Sequence, residues 1–240
     1  MSAPWAFSMW GIDVIGVINP KASNGHRFIL VAIDYFTKWV EAASYASVTQ
    51  AVVTKYIKKE IICRYGLPER IITDNASNLN QGLVEETCKQ FKIVHSNSTI
   101  YRLKMNGAVE AANKNIKKIV AKMTETYKDW HEKLPFALHA YRTCVRTSTG
   151  GGGWGGATPY SLVYGMEAVV PIEVEIPSIR VYRETKLEES EWVQERYDQL
   201  NLVDEKRLTA LCHGQMYQKR MERAFTRKYA RESSKKEIWY

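Results

Sequence analysis

Cysteine is scarce in this 240-residue chain, and the four present, Cys63, Cys88, Cys144 and Cys212, stand far apart. No Cys-x-x-Cys pair occurs, so neither a zinc knuckle nor a disulfide framework is signalled. Reduced, mostly buried thiols in an intracellular protein are the expectation. Long apolar runs are missing too. No stretch approaches the ~20 residues of a membrane span, and the N-terminus lacks the pattern of a secretion signal. A soluble, non-secreted protein with no membrane partner is expected. Acid is in deficit, with 26 Asp and Glu against 34 Lys and Arg, a net charge of +8 and a pI near 9.2. That excess favours a polyanion such as nucleic acid as partner, although a basic surface also serves solubility alone. No internal repeat is found. What is plentiful is apolar residue, 45% of the chain, enough for a sizeable core and against full disorder. The length suits one domain with an extension, or two small ones.

Taken in order, the chain predicts a strand over 8–16, a turn at Asn19-Pro20-Lys21 to Gly25, a near-continuous apolar strand over 27–34 buried on both faces, and a third strand over 38–44. Thr49 is placed as an N-cap, followed by apolar residues at helical spacing up to Tyr65, with Gly66 and Pro68 ending the helix. A strand over 70–73, a helix over about 81–91 and a short strand over 92–95 come next, then a loop over 96–105 and helices over 107–127 and 129–145. The fold class expected is α/β, a mixed five-stranded sheet with helices on both faces, followed by a long charged helical extension. Residues 1–148 form the core. A glycine-rich flexible break covers 149–157, an extended or irregular connector 158–183, and a helical extension 184–240 that turns basic toward its C-terminus. Residues 167–205 hold eleven acids against four bases, and residues 206–240 hold ten Lys and Arg against three acids.

Three acids stand out. Asp13 lies inside an apolar run, Asp74 ends Ile71-Ile72-Thr73, and Glu110 follows the Asn106-Gly107 turn that opens a basic helix. A carboxylate within a buried strand is costly unless it is paired or holds a metal. Two strands and one helix can bring three carboxylates to one point, and such hard oxygen ligands hold Mg²⁺ or Mn²⁺. Two such ions activate a nucleophile and stabilise a leaving oxygen in phosphoryl transfer. Each acid alone is weak evidence, because the surface is the common fate of Asp and Glu; Asp34, Glu41 and Glu60 are expected there. Glu110, Asn113, Lys114 and Lys117 share one helix face. With Lys118 they would draw a DNA backbone toward the acids, and the same lysines also read as a solvated face. Tyr101, Arg102 and Lys104, in the loop before the helix, are further candidates for DNA contact. Asn75 and Asn106 are read as turn residues, and His95 as a packing residue rather than a general base. No serine–histidine–acid set is found, and metal activation needs none.

Trp10-Gly11-Ile12-Asp13, Ile33-Asp34-Tyr35-Phe36-Thr37-Lys38-Trp39, Gly66-Leu67-Pro68 through Asp74-Asn75, and Asn106-Gly107-Ala108-Val109-Glu110 through Lys114 together resemble the integrase core of retroviruses and long-terminal-repeat retrotransposons, with the plant Ty3/Gypsy type the best match. The family signature is two aspartates and a glutamate, with thirty-five residues between the last two, as between Asp74 and Glu110 here. The resemblance covers roughly residues 5–150 and continues through Ala157-Thr158-Pro159-Tyr160. It implies an RNase H-like fold, two divalent cations (Mg²⁺ or Mn²⁺) on Asp13, Asp74 and Glu110, trimming of a DNA 3′ end and its transfer to target DNA. A homo-oligomer and a nuclear location are implied as well. The chain departs from the pattern at Ile100 and Leu103, where the family has prolines, at Ala76 in place of glycine, and at Gly151 to Gly156, which looks inserted. The family's zinc-binding His-His-Cys-Cys module and its C-terminal barrel or chromodomain are not found, so the chain looks like a piece of a polyprotein or a decayed copy. Three readings stay open at this point: an integrase-type transferase, an inactive remnant that keeps the fold and binds nucleic acid, and an RNase H-like nuclease.

Overall fold

The computed structural model describes residues 3–80, 82–97, 107–124, 129–150 and 156–237. The chain divides into two compact units, 3–144 and 145–237 among these residues.

The first unit is built on five strands: β1 (Met9–Ile15), β2 (Phe28–Asp34), β3 (Val40–Tyr45), β4 (Arg70–Thr73) and β5 (Val94–Asn97). Their order across the sheet is β3-β2-β1-β4-β5. β1 pairs antiparallel with β2, and β2 with β3, while β4 joins β1 and β5 in parallel. This is the expected mixed sheet. Successive side chains of a strand point to opposite faces, and the sheet follows that rule. Met9, Ile15, Ile29, Val31, Ile33 and Ile72 join one core with Val109, Ala112, Ile116 and Val120 of one later helix and Trp130, Leu134 and Leu138 of the next. The alternate residues Trp10, Ile12, Leu30, Ala32 and Ile71 are buried outside that cluster.

On that second side lies a helical run over 50–65. It is α-helical at α1 (Gln50–Tyr56) and α2 (Cys63–Tyr65), with a π-helical stretch at Ile57–Ile62 between them. Thr49 caps it as expected, accepting from the Val52 N–H at 3.4 Å. Gly66, at φ 87, ends it, a left-handed position that glycine takes without steric cost. Short α3 (Ser77–Asn80) and α4 (Leu83–Gln90) follow, and α5 (Gly107–Thr124) and α6 (Trp130–Arg142) complete the unit. Residues 98–106, including the expected DNA contacts Tyr101, Arg102 and Lys104, lie outside the described residues.

Two acids expected at the surface are buried. Asp34 is 0% exposed and accepts from the Thr37 N–H (2.8 Å), the Thr37 hydroxyl (2.6 Å) and the Phe7 N–H (3.1 Å). It shapes the turn between β2 and β3. Glu41 is 4% exposed and accepts from Arg142 (2.8 Å), Arg64 (3.2 Å), the Trp39 indole (3.0 Å) and the Tyr65 hydroxyl. Both offset part of the cost of burial because each carboxylate oxygen accepts from at least one donor. Glu60 remains partly exposed and pairs with Lys59 and Arg64. Of the thiols only Cys88 is buried; Cys63, Cys144 and Cys212 are exposed, against the expectation of mostly buried thiols.

The second unit is helical: a 3₁₀ turn at Thr147–Thr149, then α7 (Pro159–Tyr164), α8 (Pro171–Glu175), α9 (Ile179–Glu184), α10 (Glu189–Asn201) and α11 (Val203–Glu237). The stretch 158–183, expected to be extended or irregular, therefore carries three short helices. Two of its three prolines open helices rather than block them: Pro159 and Pro171 sit in first turns, where the missing N–H costs nothing. Thr158 and Ser178 supply N-cap acceptors. The last carbonyls of α7 are met by cations, Leu162 O by Arg207 (2.9 Å), Tyr164 O by Arg196 (3.2 Å) and Gly165 O by Lys206 (2.8 Å), which satisfies the acceptors a helix end leaves open. The glycine-rich break is closed by its own flanks. Thr149 O accepts from the Ala157 N–H at 3.2 Å, and the Thr149 hydroxyl donates to Ala157 O at 2.7 Å. Residues 151–155 between them lie outside the described residues. Among the described residues no helix is long and apolar enough to cross a membrane.

Candidate active site

The parallel pairing of β1 with β4 sets the site. Its last register pair is Ile12 with Thr73, so the next residues, Asp13 still within β1 and Asp74 just past the end of β4, stand side by side. Asp13 follows Gly11 on the face that meets α5, and Asp74 follows Ile72 on that same face, because Gly11 contacts Val109 and Ile72 belongs to the α5 core. Asp13 and Asp74 are both half-buried. Glu110 stands in the first turn of α5, exposed, directly after the buried Val109.

The electrostatics of Asp13 register this neighbourhood. Burial pushes its carboxyl above the ordinary carboxylate range; the Val14 N–H and the Lys117 ammonium pull it down, while the charges of Asp74 and Glu110 push it up. Asp13 Oδ1 accepts from the Val14 N–H at 2.7 Å, and Oδ2 accepts from the Asn113 side-chain amide at 2.5 Å. Asp74 Oδ1 accepts from the Ala76 N–H at 3.1 Å, which turns the chain after β4. The Asn80 amide donates to Asp74 O, and the Thr73 hydroxyl donates to Asn80 Oδ1. His95, on β5, lies 2.9 Å from the Thr73 hydroxyl through Nε2, and burial lowers its pKa. It backs the end of β4.

The helix face expected to meet DNA divides in two. Lys114, Lys117 and Lys118 are exposed along α5. Asn113 is not presented to solvent: it is 6% exposed, because it borders the stripe of Val109, Ala112, Ile116 and Val120 that packs on the sheet, and its amide is spent on Asp13. Sequence reasoning grouped it with the lysines by helical spacing alone. Its partner lies 100 positions away, and no local signal marks that pairing.

Three carboxylates suit a hard divalent cation in kind. Two observations fit one. The mutual repulsion felt at Asp13 is what a cation relieves, and Asn113 Oδ1 is a buried acceptor with no hydrogen-bond partner among the described residues. Among the described residues no three His, Cys, Asp or Glu side chains converge closely enough to chelate an ion as they stand. Both Asp13 oxygens are engaged by N–H donors.

Residues 4–102 match the family described as Integrase core domain. The chain is 33% identical over 164 residues to the Gag-Pol polyprotein of avian reticuloendotheliosis virus, covering 68% of the chain and 14% of the polyprotein. It is 33% identical over 158 residues to the Pol polyprotein of radiation murine leukemia virus (strain Kaplan), covering 65% of the chain and 26% of the polyprotein. The chain thus spans a small part of these relatives. Among solved structures, the catalytic core domain of BIV integrase aligns with TM-score 0.51 and 24% identity over 65% of this chain and 92% of that one. The simian T-cell lymphotropic virus intasome, solved in complex with the PP2A regulatory subunit B56 gamma, aligns with TM-score 0.58 and 19% identity over 71% of this chain and 59% of that one. This chain carries an integrase core domain related to those of retroviral Pol polyproteins.

Proposed function

We propose that the chain is the catalytic core of a retroelement integrase, a metal-dependent polynucleotidyl transferase that trims a DNA 3′ end and joins it to target DNA. The observation that carries this reading is the neighbouring placement of Asp13, within β1, and Asp74, just past the end of the parallel strand β4, on the face where α5 brings Glu110 and Lys117. In this reading Asp13, Asp74 and Glu110 hold two Mg²⁺ or Mn²⁺ ions, and integrase core domains use divalent metal ions. Bound there, the ions supply an activated nucleophile and charge stabilisation at the scissile phosphate. Asn113 fixes the Asp13 carboxylate through its amide. Lys114, Lys117 and Lys118 hold the phosphate backbone beside the acids, and Tyr101, Arg102 and Lys104 extend that contact. The partners are element ends and target DNA, bound by a homo-oligomer in the nucleus. The Asp-Tyr-Phe-Thr-Lys-Trp run at 34–39 supports a long-terminal-repeat retrotransposon of the plant Ty3/Gypsy type as the source.

The test is incubation of the full chain with end-labelled duplex DNA, an unlabelled target duplex and Mn²⁺. Shortened and joined products are expected. Asp74→Asn should lower both on the order of 10²-fold or more, because a metal ion contributes several kcal/mol to such a transition state. Activity that survives Asp74→Asn or chelation of the metal would overturn the reading, and shortened products without joined ones would replace it with a nuclease.

A further inference from the structure

Asp74 is also held from the far side of the sheet. Thr73, the last residue of β4, alternates with Ile72, so its side chain faces away from α5, and it is fully buried. Asn80 is the last residue of α3. Its side-chain nitrogen donates to Asp74 O, and its side-chain oxygen accepts from the Thr73 hydroxyl. The direction of each bond follows from what each atom can do. A carbonyl oxygen only accepts, so the amide turns its nitrogen to Asp74 O and leaves its oxygen for Thr73. The Thr73 hydroxyl has one proton and gives it to Asn80. His95 Nε2, 2.9 Å from that hydroxyl, therefore carries a proton and donates to it. The result is a one-way chain from β5 through Thr73 and Asn80 to the Asp74 peptide, and bonds aligned in this way strengthen one another.

The helix that carries Asn80 is itself anchored. Leu79 is fully buried and its N–H donates to Ala76 O at 2.9 Å, while the Asn78 amide donates to Val48 O at 3.0 Å, in the loop before α1. Asp74 needs such an anchor. The ladders of β4 end at Thr73, which pairs with Ile12 of β1 and Asn97 of β5, so the Asp74 peptide lies beyond them. The bond from the Ala76 N–H turns the chain there but comes from the same loop. The Asn80 amide ties that peptide to packed structure.

We propose that Asn80 is a positioning residue for Asp74: its side-chain amide, aimed by the Thr73 hydroxyl, clamps the Asp74 carbonyl from the side of the sheet opposite α5 and so fixes the peptide that carries the carboxylate. The inference deepens the metal-dependent reading of the site and rests on it. Misplacement of a ligand costs affinity even when the ligand itself is intact.

The experiment measures Mn²⁺ binding by the free-ion EPR signal on the full chain, together with thermal unfolding and joining of labelled DNA. Asn80→Leu keeps the bulk of the side chain and removes both of its bonds. Below its melting temperature its Mn²⁺ affinity should fall about 10-fold, within the range seen when a group that orients a ligand is removed, and kcat should fall while KM for DNA stays. Thr73→Val removes the hydroxyl that aims the amide and should weaken Mn²⁺ binding in the same direction, whereas Thr73→Ser keeps the hydroxyl and should bind as the unaltered chain does. If Asn80→Leu binds Mn²⁺ as tightly as the unaltered chain while Asp74→Asn loses binding, the role of Asn80 is refuted and the metal site stands. Thr73→Ser as weak as Thr73→Val refutes it too, because packing and not the hydroxyl would then decide; should Asn80→Leu not fold, this pair settles the matter alone. If the unaltered chain binds no Mn²⁺, or Asp74→Asn binds as well as it does, both readings fall together.

Discussion

Asp13 is a carboxylate held among carboxylates, and that fixes how stability depends on pH. Its folded pKa is raised above the ordinary 3.8, by burial first and by Asp74 and Glu110 in addition. A raised acid favours the folded state while it is protonated. Its contribution is full below the unfolded pKa and is lost as pH rises through the folded one. Asp13→Asn cannot ionise and carries no such loss. The unfolding free energy of the variant minus that of the unaltered chain should therefore increase from pH 4 to pH 7, as read from denaturant titrations at several pH values. A difference that is flat or falls with pH would contradict the placement of Asp13. Asp34 is raised in the same direction by its burial, but it is present in both proteins and cancels. The two acids also mark what single residues disclose in a sequence. Asp13 was legible because it interrupts an apolar strand. Asp34 interrupts one just as plainly, and its burial was missed because its donors, the Thr37 hydroxyl and two backbone N–H groups, leave no trace in residue type.

At the scale of elements, the join between α6 and the edge strand β3 rests on one ion cluster. Arg142 donates to Val40 O through Nε (3.0 Å) and a terminal nitrogen (2.8 Å), stacks on the Trp39 ring at 4.2 Å, and reaches Glu41 at 2.8 Å. Arg64 and Tyr65, from the end of the helical run over 50–65, meet the same carboxylate. Glu41 thus links elements from both faces of the sheet. Removing one partner of a buried pair leaves the other charge uncompensated, at a cost of about 3–5 kcal/mol. Glu41→Ala should destabilise by that order in equilibrium unfolding, and a loss below about 1 kcal/mol would show the cluster to be slack. The elements themselves were largely readable. Apolar runs located the strands, and the Thr49 cap and the Gly66 stop bounded the helical run. The cluster was not readable, because Arg142 lies 101 residues from Glu41 and only the fold brings them together. The short helices at Pro171–Glu175 and Ile179–Glu184 were missed, the first for a local reason: Pro171 was weighed against helix at a position where it starts one.

Over the whole molecule, the 3–144 unit owns its core. Every residue of its main apolar cluster falls between Ala3 and Tyr141, and its five strands close without help from residues beyond 144. A chain ending at Cys144 should unfold cooperatively in calorimetry, as single domains of this size do. A broad transition without a heat-capacity peak would show that the unit depends on the second. Charge is unevenly shared between the units. The basic excess lies in residues 206–240 and along α5, while residues 167–205 are acidic. This asymmetry was visible from composition alone, whereas the side-by-side placement of Asp13 and Asp74 needed the parallel register of β1 with β4.

The pair of hydrogen bonds between Thr149 and Ala157 carries one more consequence. The backbone flanking residues 151–155 is stitched at one doorway, where a Cβ on Gly156 would come within 2.9 Å of Gly150 O. Whatever travels between those two points is tethered at both ends by the scaffold, and lengthening such an excursion costs only slowly growing entropy. The doorway is therefore a natural port for a foreign peptide, a fluorophore-bearing tag or an affinity handle, admitted far along the chain from the acids at 13, 74 and 110.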